Sequence, residues 1–368
     1  MTEPSIRLVV TYFGERPSYM ALVLRSMAHN PDVDWLLFTD EPVPEAPPNV
    51  TLKLGTFDDL AARIQRHFDF PISLSEPYKL CDFRPAFGEM FREELVGYDF
   101  WGHCDLDVVF GQIRDHLPPD AWKADKILIQ GNFALYRNTP EAAEWFRHEI
   151  DGISYRDAFT RPEAMHFDEW AGIRYILDDL GVSYWQDDVI FDLSFARYRT
   201  RSEHPPGRDP RRYAWEDGEI CEYRLARGDI QRRTALLVHL QKRTMRAPGQ
   251  DVLGADRYWI LANGFAVQRS VSRWAIRAAR IPAGREIVRR TALLAHLQKR
   301  TMRAPGPDVL AAGRYWILAN GFAVQRKVTP WAIRAARIPA GRELVPHYVR
   351  RMQRSMRRAA ARGAAAPG

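Results

Sequence analysis

Asp105-Leu106-Asp107 follows the apolar, aromatic run 100–104 and leads into Val108-Val109-Phe110 and Gly111. Two carboxylates one residue apart at a strand end can turn toward one cation. Hard oxygen ligands suit Mg²⁺ or Mn²⁺, which keep positions open for diphosphate oxygens. Such an ion offsets charge that grows on a departing phosphate group. The three-residue pattern is common, and a solvated acidic loop would also produce it; the flanking apolar runs favour the metal reading.

Other residue types with chemical capacity lie upstream and downstream. Lys79 and Arg84 can meet diphosphate oxygens, arginine as a fork and lysine as a point charge. Asp82 between them can orient one or touch a sugar, although local ion pairing at a helix start explains the three residues equally well. Thr11 and Tyr12 follow the first apolar run, where Tyr12 can stack on a base or pack in the core. Asp40 ends the second run. Asn132 beside Gly131 carries an amide suited to sugar hydroxyls, while the glycine can be purely conformational. Asp168 and Glu169 stand at the expected head of a helix, where capping is a sufficient explanation and general-base work an alternative. Asp187 and Asp188 are weaker candidates for that role. His239 lies in an apolar run that turns basic at Lys242 and Arg243.

The elements that must position these residues alternate. Strands are expected at 6–12, 35–39, 50–54, 100–103 and 126–129, and helices at 19–27, 57–67, 85–95, 139–150 and 168–180. Strands alternating with helices of this length predict an α/β sandwich with a mostly parallel central sheet. In such sheets ligands gather at the carboxyl ends of strands, where Thr11, Asp40, Asp105 and Asp107 fall.

With 368 residues, 46% of them hydrophobic, the chain can bury a substantial core. Three widely spaced cysteines fit neither a disulfide framework nor a zinc site. The N-terminus lacks the charged and apolar regions of a signal peptide, and no apolar run is long enough to cross a bilayer, so a cytoplasmic location is expected.

Residues 78–88 (YKLCDFRPAFG) followed by 100–107 (FWGHCDLD) resemble bacterial GT-A-type glycosyltransferases from polysaccharide-biosynthesis clusters. The resemblance spans residues 6 to about 245. It implies a GT-A-like catalytic domain over 1–245 that uses a nucleotide-sugar donor, a glycan or lipid-linked acceptor, and Mn²⁺ or Mg²⁺ on Asp105 and Asp107. It further implies a nucleobase and ribose site at Thr11, Tyr12 and Asp40, and donor contacts from Lys79, Asp82 and Arg84. Asn132 would lie beside the donor sugar, and Asp168 or Glu169 would face the acceptor. A histidine near the domain's end would be the third metal ligand, with a basic residue for phosphate; His239 and Lys242 fit.

The remainder is basic. Residues 1–231 hold 25 lysines and arginines against 41 acids, net −16, whereas residues 232–368 hold 28 against 5, net +23. Residues 232–288 recur as 289–345 with eight differences over 57 positions, so His296, Lys299 and Arg300 duplicate His239, Lys242 and Arg243. His239 needs the shorter loop closure and is preferred as the ligand. Most of this duplication falls in a basic helical extension, 246–345, before a tail at 346–368 expected to be disordered. Trp274 and Ile276 with Arg277, repeated at Trp331, Ile333 and Arg334, predict short amphipathic helices with a basic rim. These suit either an anionic membrane or the acidic body of the protein. No nucleic-acid module is present, so no nucleic-acid partner is expected. A non-catalytic protein binding membrane or nucleic acid, and a nucleotidyltransferase, are the rival classes. The missing Gly-rich phosphate loop counts against the second.

Overall fold

Alternate residues of the first strands belong to opposite apolar layers. In the computed structural model, Ile6, Leu8, Val10, Trp35 and Leu37 pack into one core, and Val9, Leu36, Phe38 and Trp101 into another. That period of two is what a sheet covered on both faces requires. The structure describes residues 3–169, 172–194, 198, 200, 209–241, 243–278, 315–318 and 321–324. The expected tail at 346–368 lies outside the described residues, as do Lys242, His296, Lys299, Arg300, Trp331, Ile333 and Arg334.

The strands are β1 (Ile6–Thr11), β2 (Val33–Thr39), β3 (Val50–Leu54), β4 (Phe100–Cys104), β5 (Val108–Phe110), β6 (Lys126–Gln130), β7 (Phe133–Arg137), β8 (Tyr184–Trp185), β9 (Ile190–Asp192), β10 (Arg211–Glu216), β11 (Glu219–Ala226), β12 (Asp229–Ala235), β13 (Leu237–His239), β14 (Arg257–Leu261) and β15 (Gly264–Val267). A seven-stranded sheet has the order β3-β2-β1-β4-β7-β6-β8. Its β3-β2-β1-β4 part and the β6–β8 pair are parallel, while β7 runs antiparallel to both neighbours. The α/β class and the mostly parallel sheet are therefore as expected. Because β1, β2 and β4 point the same way, Tyr12, Asp40 and Asp105 emerge at one edge.

Helix Met20–Ala28 covers one face with Leu22, Val23 and Met27, and helix Phe57–Gln65 covers the other with Leu60 and Ile64. The second helix starts at a capping box, in which Asp59 N–H donates to the Thr56 hydroxyl and the Asp59 carboxylate accepts from Thr56 N–H.

Three expected helices are corrected. Instead of one helix over 85–95, the chain makes short turns at Leu80–Phe83, Arg84–Ala86, Phe87–Met90 and Arg92–Leu95. Pro85 lacks an N–H, and Gly88 packs so closely on Trp101 that a Cβ would sit 2.7 Å from its ring. The 139–150 helix stops at Glu144 and continues as a tighter turn, Trp145–Arg147. The 168–180 helix begins only at Ile173. At Gly172 the chain folds back on Phe167, whose carbonyl would lie 2.2 Å from any Cβ there and accepts from Ile173 N–H at 2.7 Å.

Two further sheets complete the first unit, Met1–Arg289. One is antiparallel, β12-β11-β10-β14-β15; the other is small, β5-β13-β9. The boundary expected at 245 falls inside this unit, since β14 pairs with β10 and so joins residues 257–267 to the sheet. Helix Arg273–Ala278 buries Ala275 and Ile276 and leaves Trp274 78% exposed. In the second unit, Arg290–Gly368, Tyr315–Leu318 (β16) pairs with Gly321–Val324 (β17) in the register of β14 with β15, shifted by the repeat length. Among the described residues, no helix is long and apolar enough to cross a membrane.

Candidate metal centre

The small sheet brings together residues far apart in sequence. Antiparallel pairing sets His239 opposite Val108, next to Asp107, and parallel pairing sets it opposite Asp192. Leu240 N–H closes the corner on the Asp107 carbonyl at 2.8 Å. His239 Nε2 then lies 3.2 Å from Asp107 Oδ1 and 3.6 Å from Asp105 Oδ2. One ligand atom from each of Asp105, Asp107 and His239 falls within 4.8 Å of the others. The three residues expected as ligands are thus brought to one point.

On the far side of the imidazole, Nδ1 lies 2.9 Å from Asp192 Oδ1, and Gln241 bonds the same carboxylate. A charged acceptor there fixes the proton on Nδ1 and turns the Nε2 lone pair toward Asp105 and Asp107. Asn132 Nδ2 approaches Nδ1 at 2.8 Å while its Oδ1 is buried without a partner. Half a turn of the amide aims Oδ1 at that same proton. Burial opposes charge on His239, but Asp107 above all, then Asp192 and Asp105, overcome it and push its pKa up to about 10. The site holds three carboxylates around one histidine, and their charge favours its protonated form. Two oxygens and an imidazole nitrogen form a donor set suited to Mn²⁺ or Mg²⁺.

Arg84 links this centre to a second carboxylate. Its Nη2 donates to Asp105 Oδ1, and its Nη1 to Asp168 Oδ2 at 3.0 Å and to the Gly131 carbonyl. Asp168 is almost fully buried, and its Oδ1 has no partner. Burial pushes its pKa up to about 8; Arg84 opposes this, and the nearby Glu169, Asp82 and Asp105 add to it. Gly131 makes the approach possible, because a Cβ there would sit 2.5 Å from Glu169 Oε1 and 2.9 Å from Asp168 Oδ2. Just before it, β6 carries an irregularity between Ile127 and Gln130, with Leu128 in the left-handed region at φ 61°. Bulges of this kind re-aim a strand end.

Lys79 and Asp82 do not line this centre. Both side chains are 0% exposed. Lys79 Nζ donates to Asp82 Oδ2 at 2.7 Å and to the carbonyls of Ala158 and Glu163 at 2.6 and 2.7 Å, which uses all three ammonium protons. Asp82 accepts from the N–H groups of Met165 and Phe167. The expectation of diphosphate contact is corrected for this pair: they clamp the segment that delivers Asp168. Asp168 and Glu169 in turn sit in a tight turn. Asp40 accepts from Gly14 N–H, where φ is +89°, and so ties down the loop after β1. Thr11 ends β1, and the Tyr12 hydroxyl donates to the Glu15 carbonyl at 2.8 Å. Burial raises the Tyr12 pKa, and the Asp107 charge raises it further, so this ring stands near the metal centre.

Sequence reasoning missed Asp192 and Gln241. The signal for Asp192 was the one used for Asp105, an acid closing an apolar run (Val189-Ile190-Phe191), but that run is only strand-length by virtue of its partner β13.

Residues 8–269 match DUF6625, a family of unknown function. The chain belongs to that family. No curated protein matches it. Among solved structures, this DUF6625 member is similar to galactosyltransferase LgtC in complex with donor and acceptor sugar analogs. That similarity has 15% identity and a TM-score of 0.30, over 53% of this chain and 80% of that one. An active-site mutant of LgtC gives the same identity and TM-score over 54% and 80%.

Proposed function

We propose that the protein is a nucleotide-sugar-dependent glycosyltransferase with Asp105, Asp107 and His239 as ligands of Mn²⁺ or Mg²⁺. The observation that carries this reading is the convergence of those three side chains at the carboxyl edge of a parallel sheet, with Arg84 and Asp168 beside them. The bound ion would supply the positive charge that a departing nucleoside diphosphate needs. Asp192 holds the imidazole so that Nε2 faces the ligand side. Arg84 spaces Asp105 from Asp168 and fixes both. Through Oδ1, Asp168 can bond a donor-sugar hydroxyl, and Asn132 stands on the same floor. Glu169 is only half-buried, so we assign to it the proton of the acceptor hydroxyl in an inverting reaction.

The acceptor in this reading is a glycan or lipid-linked glycan of cell-surface polysaccharide synthesis. The enzyme works in the cytoplasm, with its basic C-terminal region toward anionic lipid. A screen of nucleotide sugars with Mn²⁺ or Mg²⁺, following release of nucleoside diphosphate, tests the proposal. Release that needs the metal and disappears in Asp105→Ala and Asp107→Ala is the expected result. Absence of any metal-dependent donor binding or turnover refutes it, and release of pyrophosphate instead would make the enzyme a nucleotidyltransferase.

A further inference from the structure

Cys81, His166 and Asp168 form a second group of ligating side chains, with one ligand atom from each within 4.8 Å of the others. Packing explains how they meet. In His166-Phe167-Asp168 the central ring joins the aromatic core, while the residues on either side of it reach toward Cys81. Cys81 comes from the turn Leu80–Phe83. Phe83 stacks on Phe159 with centroids 4.1 Å apart, and Phe159 meets Phe167 edge-on at 5.9 Å. This stack fastens the two segments to each other.

Asp82, next to Cys81, tightens the arrangement. Its carboxylate accepts from Met165 N–H at 2.7 Å and from Phe167 N–H at 2.8 Å, so the backbone is held on both sides of His166. His166 itself takes φ 54°, in the left-handed region that residues other than glycine seldom adopt. Tyr78 stands edge-on to its ring at 6.2 Å. The Lys79–Asp82 clamp therefore presets two side chains against a thiol, as a ligand site requires.

The charges favour a cation. Asp82, Asp105 and Asp168 are set against Lys79 and Arg84, and two of the three carboxylates share the one guanidinium. Asp168 is almost fully buried, yet its Oδ1 lacks a donor, a condition that native interiors rarely tolerate. Burial above all, then the charges of Asp168 and Asp82, pushes the Cys81 thiol well above its usual range, so its proton leaves when a metal takes its place. His166 is half-buried and lies outside any helix or strand, which gives an ion its way in. A thiolate, an imidazole and a carboxylate suit Zn²⁺, whereas Mn²⁺ and Mg²⁺ prefer oxygen. Around tetrahedral zinc, ligand atoms stand about 3–4 Å apart, so the cluster closes on the ion by shifts of about 1 Å.

We propose that Cys81, His166 and Asp168 form a Zn²⁺ site separate from the Asp105–Asp107–His239 centre, with a fourth position open to water. The assignment rests on the ligands and not on the glycosyltransferase reading. Under that reading, zinc on Asp168 competes with the donor-sugar hydroxyl assigned to it above. Cobalt(II) is the probe, because a thiolate ligand gives it a near-ultraviolet charge-transfer band that oxygen and nitrogen ligands do not. Titrated into the metal-free full chain, Co²⁺ should raise this band up to one equivalent. Zn²⁺ should remove it and excess Mg²⁺ should not. The band should survive Asp107→Ala, so a failure of the first metal centre leaves this result standing, and it should vanish in Cys81→Ser. His166→Asn keeps a residue type that accepts the left-handed backbone. It should melt like the parent and weaken Co²⁺ binding by at least about tenfold, the loss that follows even from removing an outer-shell partner. This second variant decides the matter if Cys81→Ser folds poorly. No band in the parent chain, a band that persists in Cys81→Ser, or unchanged affinity in His166→Asn overturns the proposal.

Discussion

Two clusters of charge, Lys79–Asp82 and Asp105–Asp107–His239, flank the Arg84–Asp168 pair and are built from similar residue types. They differ in how their valences are closed. Lys79 and Asp82 are sealed from water, and each ammonium proton has an acceptor within the protein. In the other cluster two carboxylates crowd one imidazole, the imidazole is driven to hold a proton, and neighbouring polar atoms such as Asp168 Oδ1 are left without partners. A closed cluster stabilises its surroundings. The open one keeps an excess of negative charge that the protein itself does not close.

The sharpest way to break that contrast is to remove one partner from each. Lys79→Met leaves Asp82 charged and buried, and should cost about 3–5 kcal/mol in urea unfolding; a neutral effect would mean the clamp is not structural. Asp107→Asn should instead lower metal-dependent transfer by roughly 10²–10³-fold with a smaller loss of stability than Lys79→Met, since it removes the main partner of the protonated imidazole. A matching stability loss would erase the distinction.

Smaller effects sharpen it. Asp192→Asn should weaken Mn²⁺ binding by about 10–100-fold, measured by calorimetry, because the imidazole loses the charged acceptor that fixes its tautomer. The pH response follows from His239, whose pKa rises from 6.5 unfolded to about 10 folded. Its contribution to stability is complete below 6.5 and is lost as pH climbs to 10, so metal-free protein should melt lower at pH 9 than at pH 7. Metal binding must expel the same proton. Mn²⁺ affinity should therefore gain up to about tenfold per pH unit in that window, and a flat profile would show that His239 is not a ligand.

The open cluster was the more legible of the two. Asp105 and Asp107 close an apolar run, and parallel sheets put such ends together, so their spacing carried the message. His239 was legible only as a histidine in an apolar strand; the pairing of β13 with β5 and β9 turned it into a ligand. Lys79 and Asp82 were misread because their burial depends on residues 158–167 folding over them, which no local pattern in 78–88 reveals. Asp168 was placed on a helix because its neighbours have helical spacing, yet the fold-back at Gly172 decides otherwise.

The repeated segment starts at Arg232, and β12 runs from Asp229 to Ala235, so the repeat boundary falls in the middle of a strand. The second copy inherited the sequence for only the later part of that strand. The repeat unit is therefore not a self-standing module, even though the hairpin of its second copy repeats the pairing of β14 with β15. Reversing the cut nevertheless keeps that strand, at the cost of the eight differences between the copies. Excising 232–288 joins Gln231 to Arg289, and the resulting chain reads through β12 with every strand residue restored.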